Sequence, residues 1–148
     1  MANQPHHMTA RYGGLNGSFS ETLRQYADQA KADWDEVFRK VVIEIGTSVI
    51  RLSPVDTGRF RGNWQLTIDA PATASLDNYD KEGHETIATL VSDVQSLTFG
   101  QTAYIVNNLI YAIPLEYGHS PQALSGMVRI TKERFQDIVA QAVREISE

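Results

Sequence analysis

The stretch Ser53-Pro54-Val55-Asp56-Thr57-Gly58-Arg59-Phe60-Arg61-Gly62-Asn63-Trp64 decides the fold, because the hydrophobic period changes across it. Before it, Leu23, Ala27, Ala30, Trp34, Val37, Phe38, Val41, Ile45, Val49 and Leu52 recur at three- and four-residue spacing, the stripe of an amphipathic helix. Ser20 is placed to cap that helix, with Glu21 favourable for its dipole. A helix of this length spans about 45 Å, more than most globular helices, so part of its stripe is expected to pack on another subunit. Pro54 removes a backbone donor and disfavours helical geometry at Ser53, which ends the helix there. Gly58 and Gly62 supply backbone freedom where the chain reverses. From Asn63 onward apolar Trp64, Leu66 and Ile68 alternate with polar Asn63, Gln65, Thr67 and Asp69, the period of a strand with one wet face. Trp64, Leu66 and Ile68 should therefore face helices, and Asn63, Gln65 and Thr67 should face solvent or a neighbouring subunit.

Further along, residues 70–78 are a Pro/Ala/Ser/Asp stretch without periodicity, hence a loop. A second helix is expected over residues 82–97, with Ile87, Leu90, Val91, Val94 and Leu97 on one face. Residues 103–107 are β-rich, and Asn107-Asn108 has turn chemistry. The apolar, aromatic residues 109–117 then lead into Gly118-His119-Ser120-Pro121, a second sharp loop. A last helix carries Phe135, Ile138, Val139, Ala142, Val143 and Ile146 on one stripe, with Thr131 as its expected cap. Long helices flanking few strands give an α+β fold, a small antiparallel sheet packed against amphipathic helices.

At 148 residues the chain has the length of one domain and can bury a core without staples. Residues 1–19 read as a flexible arm, with glycines at 13, 14 and 17 and no apolar signal core, and residues 20–148 as a single domain. The expectation is an intracellular protein. No cysteine occurs, which excludes disulfides and thiolate metal sites. The net charge of −5 is unevenly placed. Between Asp69 and Tyr117 seven acids (Asp69, Asp77, Asp80, Glu82, Glu85, Asp93, Glu116) stand against Lys81 alone, whereas the rest of the chain holds eleven acids and twelve bases. That pattern argues against a general DNA-binding surface, which needs clustered cations.

Three patterns invite a chemical reading. Asp56-Thr57-Gly58 matches the catalytic tripeptide of aspartic proteases, but those sites lie in all-β chains, and Arg59 stands where that loop keeps a small residue. Glu116 and His119, three apart, could act as a general acid and base in a small hydrolase. His6, His7 and His84 are the only other histidines, and none falls at metal-ligand spacing. Gly13, Gly14 and Gly17 lack the lysine and preceding strand of a phosphate loop. No cofactor, metal or catalytic set is therefore expected. Asp56, set among Arg51, Arg59 and Arg61, is expected to pair with an arginine or to cap its own turn. Glu116 is expected to partner an arginine of the same hinge, clamping the two loops together.

Taken together the two loops resemble the tail-completion, or neck, family of long-tailed bacteriophages. Residues 53–64 resemble that family's helix-to-strand junction. The second block is similar to its other signature: Tyr104-Ile105-Val106-Asn107-Asn108, Tyr111-Ala112, Leu115-Glu116-Tyr117-Gly118-His119-Ser120 and Gly126-Met127-Val128-Arg129. Order, spacing and flanking helices fit over residues 20–145; Leu124 departs where relatives often carry proline. The resemblance implies a structural virion protein rather than an enzyme, a minor tail component at the head–tail junction that completes the tail. It implies a homo-oligomeric ring, hexameric, between connector and tail-tube proteins, with DNA only as cargo and host cytoplasm as the place of assembly. Asp56, Thr57, Gly58, Arg59, Arg61, Trp64, Tyr111, Glu116, Tyr117, Gly118, His119 and Met127 are its signature residues here. In such a ring the acids from Asp69 to Asp93 would line the lumen and repel passing phosphates, or else lie on an outer face against a basic neighbour. A regulatory binding module is the remaining alternative.

Overall fold

In a computed structural model that describes residues 18–147, the protein is α+β. The described elements are α1 (Ser18–Leu52), a 3-10 turn (Arg61–Asn63), β1 (Trp64–Ile68), α2 (His84–Val94), β2 (Ala103–Asn107), α3 (Ala112–Glu116), α4 (Val128–Glu133) and α5 (Phe135–Ser147). Of the arm expected at residues 1–19, residues 1–17 lie outside the described residues and Ser18 and Phe19 belong to α1, so Ser20 is inside that helix rather than at its cap. The contacts divide the chain after Trp34 into two compact units. In the first, the helical residues 20–34 are exposed throughout, Leu23, Tyr26 and Trp34 included. An Arg24–Glu21 ion pair at 2.8 Å and a Gln29–Asp33 hydrogen bond at 3.0 Å brace that surface, as side chains three and four apart do on a helix.

The second unit, from Asp35 onward, holds the core. β1 and β2 pair antiparallel with Trp64 opposite Asn107, Leu66 opposite Ile105 and Ile68 opposite Ala103. Leu66 is buried with Val42 and Ile50 of α1, Leu90 and Val94 of α2, and Leu97, while Trp64 and Ile68 pack on that cluster half-buried. The apolar face thus meets the helices as its alternation predicts. Its polar face departs from expectation at Asn63, which is 0% exposed. The residues after β1 fold back over that side. Asn63 Oδ1 accepts the Leu76 amide at 2.7 Å, Gln65 donates to Ala74 O at 2.7 Å and Thr67 to Ala70 O at 2.5 Å.

α2 is shorter than its apolar stripe suggests, since Gly83 (φ +83°) starts it and Leu97, though buried, lies past its end. Arg39 Nε donates to Leu97 O at 2.8 Å, tying that tail to α1. A second cluster joins Val49, Phe60, Leu109, Ala123 and Met127, and a third joins Val41 to Ile138 and Ala142 of α5. Thr131 does not cap the last helix. It is buried within α4, donating to Met127 O at 2.8 Å and facing the Ser48 hydroxyl at 2.7 Å, and the C-terminal helical region breaks at Arg134 (φ −90°, ψ 0°) into α4 and α5.

Candidate functional site

The hinge between α1 and β1 is built around Ser53 and Arg61. Buried Ser53 donates its hydroxyl to Val49 O at 2.6 Å and accepts Trp64 Nε1–H at 2.7 Å, joining helix end to strand start. Arg61 Nη2 donates to Ser53 O at 2.7 Å and Arg51 O at 3.0 Å, and its Nη1 to Lys81 O at 2.9 Å. A helix leaves its last carbonyls without partners and gathers negative potential there, so a guanidinium is well suited to that end. Burial pulls Arg61 below its ordinary value against the opposing pull of Asp80.

Asp80 performs the matching task at the start of α2. Its carboxylate accepts Gly83 N at 2.9 Å, Thr86 N at 2.8 Å and the Thr86 hydroxyl at 2.8 Å. Burial alone would raise its carboxyl, but the bonds from Thr86, Gly83 and Glu85 outweigh burial and hold it below the usual carboxylate range. Asp80 is buried, so it cannot line a lumen with the other acids of its stretch. Gly58 (φ +88°) is required by the same crossing, since a Cβ there would stand 2.6 Å from Lys81 N.

The clamp expected of Asp56 is absent. Asp56 is exposed and enters none of the ion pairs among the described residues. The turn is closed instead by Thr57, whose hydroxyl accepts the Arg59 amide at 3.2 Å. Neutral groups hold the two signature loops together. Asn107 Nδ2 donates to Phe60 O at 2.8 Å, and Gln122 takes both backbone groups of Val55, accepting its N–H at 2.9 Å and donating to its carbonyl at 3.1 Å. The buried Phe60 ring meets Trp64 edge-on at 5.9 Å and Tyr111 at 6.0 Å. Asn107, Gln122 and Asp80 escape a reading based on charge pairing, because their partners are chiefly backbone groups that every residue carries.

Glu116 likewise has a different partner from the one expected. Its carboxylate accepts Met127 N and Val128 N at 2.8 Å and Arg129 N at 3.0 Å, and Arg129 Nε at 3.2 Å. It therefore caps α4, where three amides have no intrahelical acceptor. Arg129 also donates to Glu116 O and lies 4.9 Å over the Tyr117 ring. Burial pushes the Glu116 carboxyl up, yet the bonds from Val128, Met127 and Arg129 outweigh it and keep the group below its ordinary value. That environment favours the ionised form and fills the carboxylate with donors. His119 is exposed and makes no hydrogen bond to Glu116, so the acid–base pair of a hydrolase is not assembled. Gly118 (φ +88°) turns the chain where a Cβ would stand 2.9 Å from Leu124 O, and Met127 is 1% exposed in the core.

While charges are drawn inward onto the backbone, apolar side chains point out. Ile110 is 95% exposed, Ile113 71% and Tyr117 65%, and Leu124 and Val128 are exposed as well. Among the described residues no group of histidines and acids is placed to hold a metal ion, and no helix is long and apolar enough to cross a membrane. No known protein family, no curated protein and no solved structure matches the chain.

Proposed function

We propose that the chain is a structural subunit of the head–tail junction of a long-tailed bacteriophage, a ring-forming protein that completes the tail and joins it to the head connector. The resemblance of residues 53–64 and 104–129 to the neck family supplies the identity of the assembly. One observation carries the reading. The second block presents Ile110, Ile113, Tyr117, Leu124 and Val128 to solvent from a loop fixed by Glu116, Gln122 and Asn107. Several exposed apolar side chains on one braced scaffold suit a protein–protein interface. The partners are further copies of the chain, connector proteins and tail-tube proteins, with DNA passing as cargo and the virion as the place of action. Light scattering and electron microscopy of the purified chain, alone and mixed with tail tubes, test this. The expected result is a closed ring, hexameric by mass, free or on tube ends, which Ile113→Glu abolishes while leaving the melting temperature unchanged. Wild-type protein that stays monomeric with tubes and connector, or an Ile113→Glu variant that assembles normally, would remove the proposal.

A further inference from the structure

Between the two loops lies a cleft of about 520 Å³ whose lining includes Asp56, Thr57, Arg59, Tyr79, Tyr111 and Ser120. Arg59 is only partly exposed, yet its side chain makes no hydrogen bond or ion pair with any described residue, and its Nε is buried without an acceptor. Arg61 Nε also lacks an acceptor, but the guanidinium groups of Arg39, Arg61 and Arg129 are each anchored on carbonyls or a carboxylate, and that of Arg59 is not. A guanidinium offers five N–H donors and keeps its charge, and a cation withdrawn from water is normally paired. The neighbouring hydroxyls point to the same chemistry. Thr57 Oγ1 already accepts Arg59 N at 3.2 Å and Ser120 Oγ accepts Gln122 N at 3.2 Å, so each keeps its proton free to donate. Exposed Tyr79 and Tyr111 add phenolic donors at the wall. Asp56 is the one acid in the lining.

We infer that this cleft is a carboxylate-binding site centred on Arg59, and that in the assembled protein the carboxylate comes from a second copy. The fork of a guanidinium matches a carboxylate with two parallel bonds, which fixes orientation as well as affinity. Charge complementarity favours a donor from the acidic middle of the chain. Glu85 and Asp93 of α2 are exposed and unpaired among the described residues, and they belong to the acidic middle of the chain. A cleft on one copy meeting α2 of the next is a heterologous contact, and such contacts close into rings when the rotation permits. The second-copy donor rests on the ring reading above; the cleft's affinity for carboxylates does not.

Two arms test it. In the first, the full chain is titrated with acetate while the Arg59 Nε–H resonance is followed by NMR. A saturable shift is expected, lost in Arg59→Gln, with affinity about threefold tighter in Asp56→Asn because an exposed like charge is removed. A resonance indifferent to acetate, or weaker binding in Asp56→Asn, overturns the site. In the second, Arg59→Glu and Glu85→Arg/Asp93→Arg should each prevent ring formation, and their combination should restore it. A ring unaffected by Arg59→Glu overturns the second-copy donor while leaving the ring reading intact. A wild-type chain that never assembles removes the ring reading and that donor together, and the acetate arm still decides the cleft.

Discussion

Replacing Glu116 tests the capping of α4 most directly. The carboxylate is 14% exposed and accepts three amides and the Arg129 side chain. Hydrogen bonds to a charged acceptor are worth about 1.5–3 kcal/mol each, and a lost helix cap about 0.5–2 kcal/mol. The bonds share one acceptor and Val128 and Arg129 are exposed, so their amides recover water in the variant and the values do not add. Glu116→Ala should cost about 3 kcal/mol by urea denaturation, which lowers Tm by roughly 8 °C for a chain of this size. Glu116→Gln should cost about 2 kcal/mol, since its carbonyl accepts while its amide faces donors. The sign of the pH dependence follows from the lowered Glu116 pKa. A depressed folded-state value means that protonation favours the unfolded chain. The wild-type advantage over Glu116→Gln is therefore full above the ordinary value of 4.5, and it shrinks as pH falls through the lower folded value. A cost below about 0.5 kcal/mol, or an advantage that grows on acidification, would refute the capping role.

Other outcomes follow from the hinge. Gly58→Ala combines a left-handed backbone with a Cβ set against Lys81 N at 2.6 Å, so denaturation should show a loss of at least about 2 kcal/mol. Trp64→Ala removes a ring shared by two core clusters and should cost about 3–5 kcal/mol. Trp64→Phe keeps most of the packing but loses the bond to Ser53, about 1 kcal/mol; equal losses in the two variants would contradict this division. Asp56→Ala should leave stability within about 0.5 kcal/mol of wild type in a thermal melt, because Asp56 is exposed and unpaired.

The parts of the fold that depend on periodicity were legible. The α1 stripe from Val37 onward and the alternation of Trp64, Leu66 and Ile68 each express a repeat that one face buries, and α1 stops at Leu52, ahead of Pro54. The earlier stripe members Leu23, Ala27, Ala30 and Trp34 are helical but exposed. Asn63 was not legible, because alternation assigns a side of the strand and cannot tell that residues 70–78 fold back over it. The expected arginine partners of Asp56 and Glu116 failed for a related reason. Counting charges leaves out backbone amides at helix starts, which attract carboxylates as strongly as side-chain cations do at partial exposure. Glu116 carried a usable signal, a carboxylate upstream of a helix that begins without its own capping side chain at Met127. Thr131 misled because a threonine inside a helix can satisfy its hydroxyl on the preceding turn, as it does on Met127 O.

The bonds that complete the hinge join residues far apart in the chain: Phe60 to Asn107 across 47 positions, Val55 to Gln122 across 67, and Ser48 to Thr131 across 83. During synthesis at about 5–20 residues per second, the ribosome therefore delivers α1 and the hinge several seconds before the groups that cover them. Val49 and Phe60, buried in the finished protein against Leu109 and Met127, are apolar surface on the nascent chain for that interval. Closing such long loops is slow relative to forming helices. The helix can form early, but the loop with the most demanding geometry is completed last.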